Sequence, residues 1–203
     1  MRDLSRPGGG AEQAFLRNGL AQETGKAARF LLGKHLVWRT LGDWAALRIT
    51  EVEGYLPEGD PAAHSRAGRT RRTAPLFGLP GTAYVYLVYG VHHCLNVAAE
   101  GEGVPGCVLI RAGVPIVPSA PSARELVGPG RVCRALGIDT RLSGADLVSG
   151  GDRVWLRDGA PPGEVGTTRR IGVSRGTHLR LRFVERFSAS GAGRVILAGE
   201  ELG

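Results

Sequence analysis

Lysine is nearly missing from this 203-residue chain: Lys26 and Lys34 stand alone among 26 basic residues, the other 24 being arginine. A mechanism that needs a lysine amine as nucleophile therefore has two candidates, both far in sequence from the motifs below. Cysteine is scarce too. Cys94, Cys107 and Cys133 form an odd set with no C-x-x-C pair, which excludes a disulfide framework and a zinc knuckle and leaves three free thiols suited to a reducing compartment. No apolar run suffices to span a bilayer, since the best stretch, Ala83 to Ala99, is broken by His92, His93 and Asn96. Residues 1–10 lack the apolar middle of a secretion signal, so a cytoplasmic protein without a membrane partner is expected.

What remains is ordinary in bulk and unusual in charge. With 42% hydrophobic and 22% charged residues the chain has the balance of a folded domain. The net charge of +7 favours polyanionic partners such as nucleic acid, and in a bacterium an association with the nucleoid. Arginine, glycine, alanine and proline are abundant together, as GC-rich codons dictate, so arginine content alone carries little weight.

Residues 1–10 read as a mobile tail and 11–203 as a single domain. Ala21 to Leu32 reads as a helix closed by Gly33, and Lys34 to Arg39 as a strand that turns at Leu41-Gly42-Asp43 into a second strand from Trp44. Thr82 to Val88 and Cys94 to Ala98 form a second strand pair, Cys107 to Arg111 a further strand, residues 112–130 a Pro- and Gly-rich loop, and Arg131 to Leu136 a helix. Short strands at Val154-Trp155-Leu156, Ile171-Gly172-Val173 and Leu179 to Val184 follow. The expected fold is α+β: a mainly antiparallel, curved sheet with flanking helices and a protruding β-hairpin.

Two constellations carry chemistry. On the strand from Trp44, alternation puts Leu47, Ile49, Glu51, Glu53 and Tyr55 on one face, so two acids continue an apolar row. Such acids find cationic partners, serve in a cleft, or lie past the core edge in solvent. Arg111 shares a face with Cys107 and Leu109; facing Glu53 it would keep that acid ionised as a base, and a plain structural salt bridge is the rival explanation. In the second constellation Tyr84 and Tyr86 share a face, Tyr89 opens a Gly-containing turn, and His92, His93 and Asn96 return. A tyrosine at a hairpin tip can replace a stacked base, and Arg66, Arg69, Arg71 and Arg72 in the preceding loop can hold phosphates, although for these features alone tyrosines packing a core face and a solvated arginine loop are the favoured explanation. Gly128-Pro129-Gly130 before a helix can present N–H groups to phosphate or simply start the helix. No Cys/His grouping supports a metal.

Taken in order, Glu51-Val52-Glu53-Gly54-Tyr55-Leu56, Asp60-Pro61-Ala62-Ala63-His64-Ser65-Arg66, Pro80-Gly81-Thr82-Ala83-Tyr84-Val85-Tyr86-Leu87-Val88-Tyr89-Gly90, Cys94-Leu95-Asn96-Val97, Gly128-Pro129-Gly130-Arg131-Val132-Cys133 and Arg170-Ile171-Gly172-Val173 resemble the alkyladenine (3-methyladenine) DNA glycosylase family. The resemblance implies base flipping of damaged purines from double-stranded DNA and hydrolysis of the N-glycosidic bond by a monomer without cofactor or metal. It makes Glu53 the general base, Arg111 the residue that helps place the water, Tyr55, His64 and Tyr86 the base-binding residues, Tyr89 the intercalating wedge, and Asn96 the discriminator against guanine's amino group. Arg66, Arg69, Arg71, Arg72 and Arg131 are the expected contacts to the DNA backbone. Gly54 stands where the family often has alanine, the run after Arg111 departs from the usual continuation, and the chain diverges after Phe183. A non-catalytic damaged-DNA binding module of the same fold, and a glycoside hydrolase using Glu51 and Glu53, are the competing functions.

Overall fold

The computed structural model describes residues 3–39, 43–117, 121–150 and 153–186. Among them are helices α1 (Gly10–Leu20), α2 (Thr24–Leu31) and α3 (Pro129–Leu136), and strands β1 (His35–Arg39), β2 (Trp44–Tyr55), β3 (Ala83–Val88), β4 (His92–Ala99), β5 (Gly106–Pro115), β6 (Val154–Arg157), β7 (Glu164–Thr168) and β8 (Arg182–Arg186). All strand pairs are antiparallel, in the order β3-β4-β5-β2-β1-β6, with β8 joining β2 to β7. The domain is α+β with a curved antiparallel sheet, as its patterning predicts. The turn expected at Leu41-Gly42-Asp43 falls partly outside the described residues, as does the tail beyond residue 186.

One sheet face carries the core. Leu47, Ile49 and Val52 of β2, Val85 of β3, Leu95 and Val97 of β4, and Val108 and Ile110 of β5 pack against Leu16 and Leu20 of α1, Ala27, Ala28 and Leu31 of α2, and Val132 and Leu136 of α3. Burying such side chains contributes about 1.5–3 kcal/mol each. At Gly19 an added Cβ would lie 2.1 Å from the Phe30 ring, so glycine is what lets α1 and α2 approach this closely. Helix α3 starts with Pro129 in its first turn and ends at Gly137, whose φ of 63° is the left-handed cap.

Several expectations need correction. Residues 3–9 do not form a free tail: Leu4 is buried against Val37, Ala46 and Trp155, and the Arg157 guanidinium donates to the carbonyls of Asp3 and Arg6 while pairing with Glu12. The composition of the segment conceals this because its anchor lies about 150 residues away. α1, absent from the sequence reading, occupies Gly10–Leu20, and the next helix starts at Thr24 rather than Ala21, because Glu100 accepts hydrogen bonds from the Thr24 N–H and hydroxyl and so caps α2 from another element. β5 runs on to Pro115 through residues expected to be loop, paired with β2. Ile171-Gly172-Val173 is not a strand but a bend in which Gly172 adopts φ 76°.

Candidate active site

The alternation read along β2 breaks at Thr50. Ile49 pairs with Gly113, but Glu51 already pairs with Ala112 and Val52 with Ile110, so each strand carries one extra residue there. Glu51 and Glu53 consequently leave the face of Leu47 and Ile49, and Val52 takes over the core row. Across the same bulge the other edge of β2 passes from β1 to β8. The two acids thus reach the face of Tyr55, where Arg111 meets them from the side of β5 opposite Val108 and Ile110.

Glu53 is wholly buried. Its Oε1 accepts from the Ile171 N–H at 2.7 Å; its Oε2 accepts from the Tyr55 hydroxyl at 3.0 Å and lies 3.2 Å from Arg111 Nη1. Arg111 also donates through Nε to Glu51 Oε1 at 2.7 Å, and Arg182 of β8 donates to that same oxygen at 2.7 Å. The two acids are driven apart by these surroundings. Burial pushes the Glu53 carboxyl above its ordinary range, and Arg111, the Ile171 N–H and Tyr55 only partly offset it. At Glu51 burial also raises, but the hydrogen bonds and charges of Arg182 and Arg111 prevail and hold it below its ordinary range. Arg111 therefore does face Glu53, as geometry on β5 suggested, without lowering its proton affinity below that of a free acid.

Beside this cluster lies a cavity of about 280 Å³ lined chiefly by Tyr55, His64, Tyr84, Tyr86, Asn96 and Val173, near the lower end of the roughly 300–1,000 Å³ of small-molecule sites. Its walls are braced. His64 Nδ1 and the Tyr84 hydroxyl are 2.9 Å apart, the His64 and Tyr86 rings meet edge to face at 4.4 Å, and the Asn96 amide donates to the Tyr84 carbonyl at 3.1 Å. Burial, helped by the Arg72 charge, lowers the His64 pKa and favours the neutral ring. Behind Tyr55 the Arg170 guanidinium lies 4.5 Å from the ring centroid, clamps both oxygens of buried Asp60 and donates to the Gly54 carbonyl.

A second, larger cavity of about 820 Å³ is bordered by Glu51, Tyr89, His92, Arg111, Arg131 and Ile171. Glu53 has partners on both: Tyr55 belongs to the first cavity, Arg111 and Ile171 to the second. Tyr89, at the turn between β3 and β4, is 92% exposed and held at φ 50°, with Val91 also exposed. A large apolar ring left in solvent on a strained backbone is an unusual arrangement for a residue without a partner. The loop arginines spread out: Arg66 donates to the Pro61 carbonyl, Arg69 lies over the Phe77 ring, Arg71 is exposed, and Arg72 lies over Tyr86 at the cavity rim. Arg131 is exposed on α3.

A family model described as methylpurine-DNA glycosylase matches residues 18–189. The chain belongs to the methylpurine-DNA glycosylase family. Three relatives carry the name "Putative 3-methyladenine DNA glycosylase": one from Methanocella arvoryzae, 42% identical over 73% of this chain and 78% of the relative; one from an Anaeromyxobacter species, 46% identical over 75% and 77%; and one from Rubrobacter xylanophilus, 45% identical over 76% and 84%. In this member of the family the sequence-predicted Glu53, Arg111, Tyr55, His64, Tyr86 and Asn96 converge on the acid cluster and the first cavity, Tyr89 and Arg131 border the second, and Arg66, Arg69 and Arg71 line neither. Sequence reasoning missed the Ile171 N–H, Arg182, and the Asp60–Arg170 clamp. Asp60 and Arg170 lay within motifs that were recognised; Arg182 had no local signal, because its partner Glu51 is 131 residues away.

Proposed function

We propose that the protein flips an alkylated purine nucleotide out of double-stranded DNA and hydrolyses its N-glycosidic bond with water activated by Glu53, leaving an abasic site without cutting the strand. The observation that carries this is the carboxylate of Glu53, wholly buried and bonded to residues that line a ring-walled cavity and the cavity bordered by Tyr89. A carboxylate offers about four lone-pair positions; Ile171, Tyr55 and Arg111 use three. In this scheme the fourth, on Oε1, takes the attacking water. A base whose proton affinity is raised by burial accepts a proton more readily near neutral pH than a free carboxylate does.

Alkylation at a ring nitrogen gives the purine a positive charge, so it departs without protonation, and the enzyme's task is to deliver water and stabilise the developing sugar cation. Negative charge on Glu53 serves both. In this scheme Tyr55, His64 and Tyr86 hold the flipped base, and Asn96, immobilised through the Tyr84 carbonyl, discriminates against guanine's amino group. Tyr89 fills the vacated stack, which offsets part of the few kcal/mol lost on flipping. Arg66, Arg69, Arg71, Arg72 and Arg131 steer the backbone. Water as nucleophile accords with the two lysines: Lys34 pairs with Asp158 against the Phe15 and Phe30 rings and Lys26 pairs with Glu23, neither lining the site.

The test is release of methylpurines from methylated duplex DNA by the wild type and Glu53→Gln. Loss of the base is expected to slow release by about 10²- to 10⁴-fold while binding persists. If the wild type binds but releases nothing, the non-catalytic module is the correct function.

A further inference from the structure

The site holds four charges, two of each sign, on three strands. Glu51 and Glu53 come from β2, Arg111 from β5 and Arg182 from β8, and all four side chains are about nine-tenths buried or more. Arg111 is shared: its Nε is 2.7 Å from Glu51 and its Nη1 3.2 Å from Glu53. Among the described acids Arg182 pairs with Glu51 alone, and it steadies itself on the Thr168 hydroxyl. We infer that Arg182 is a positioning residue for the hydrolytic step: by neutralising Glu51 it leaves the charge of Arg111 to Glu53. The inference rests on Glu53 being the base.

The reason is charge balance in a poorly solvated space. Glu53 is faced by Tyr55 and Glu51 from its own strand, by Cys94 from β4, by Arg111 from β5, and by Arg170 and the Ile171 N–H from the segment after β7. Glu51 is faced by Arg111, Arg182 and Glu53. Without Arg182, two carboxylates share one guanidinium, and the charge of each raises the proton affinity of the other. Glu51 holds the shorter contact to Arg111 and borders the second cavity, whereas Glu53 is wholly buried. Glu53 is then the acid that takes up a proton, and a protonated acid is no base. Removing Glu51 does the reverse, leaving two guanidiniums for a single carboxylate.

Single-turnover release of methylpurines from methylated duplex DNA, followed from about pH 5 to 9, tests this. A purine that is already cationic while attached takes the bonding pair and leaves as a neutral base, so it needs no acid and the acid limb reports the base alone. Arg182→Met is expected to move that limb up by about one unit or more, a roughly tenfold loss of rate below it that is recovered at higher pH; Arg182→Lys should restore most of the limb. Glu51→Gln is expected to move it down. A purely structural role would lower rates in all variants without shifting the limbs in opposite directions. If Arg182→Met does not fold, Glu51→Gln decides: an unchanged or raised limb overturns the inference. Glu53→Gln separates the two levels. If it is inert and the limbs do not move, only the role of Arg182 fails; if it releases purines normally, the base assignment fails and this inference with it.

Discussion

Replacing Arg170 by methionine is expected to destabilise the protein severely. The Arg170 and Asp60 side chains are both fully buried, and the guanidinium holds both Asp60 oxygens, the Gly54 carbonyl and the face of Tyr55. Methionine fills most of the volume but leaves Asp60 with only the Leu56 and Ala62 N–H groups. Breaking a buried pair on one side costs about 3–5 kcal/mol, and at roughly 2–4 °C per kcal/mol for a chain of this size the melting temperature should fall by about 6–20 °C. The double variant Arg170→Met/Asp60→Asn no longer buries an unpaired charge, so it should recover about half of that loss. Burial raises the Asp60 carboxyl, but Arg170 and two backbone N–H groups outweigh it and hold it below the ordinary range. A folded-state pKa below the unfolded value makes this stabilisation complete above the unfolded pKa and removes it as pH falls through the folded one, so the gap between wild type and Arg170→Met should close in acid. Thermal melts across pH measure all three quantities. A loss under about 1 kcal/mol for Arg170→Met, or a double variant as unstable as the sum of the singles, refutes the clamp.

Tyr89→Ala should leave melting unchanged within about 0.5 kcal/mol, since the ring is solvent-exposed, yet weaken capture of a lesion-bearing duplex by about five- to 150-fold, the equivalent of one lost stacking contact; equal affinity by titration would count against the wedge. Affinity should fall linearly with salt on logarithmic axes, and Arg131→Ala should lower that slope by about one. A slope unaltered by the substitution would remove Arg131 from the DNA contacts.

Much of the site was legible because its residues cluster in short motifs. Tyr55, His64, Tyr86, Tyr89, Asn96, Glu53 and Arg111 lie in segments whose strand or turn character follows from local pattern, and Arg111 could be placed opposite Val108 and Ile110 by parity alone. Parity failed on β2. The extra residue at Thr50 has no signature in composition, since a bulge arises from how two strands twist against each other, and with it went the face on which Glu51 and Glu53 lie. The packed residues 3–9 and α1 were missed for a related reason: Arg157 and the core of the sheet hold them, and nothing within the segment itself signals that anchor.

Composition and motif order by themselves determined the α+β class, the basic surface, the scarcity of lysine and the kinds of side chain available for chemistry, because these depend on residue identity and on neighbours within a few positions. Only the tertiary structure decided that Glu53 is wholly buried while Glu51 is held by two arginines, and that Ile171 lends its N–H to Glu53. Proton affinity depends on burial and on charges a few ångströms away, and those charges come from strands more than 50 residues apart.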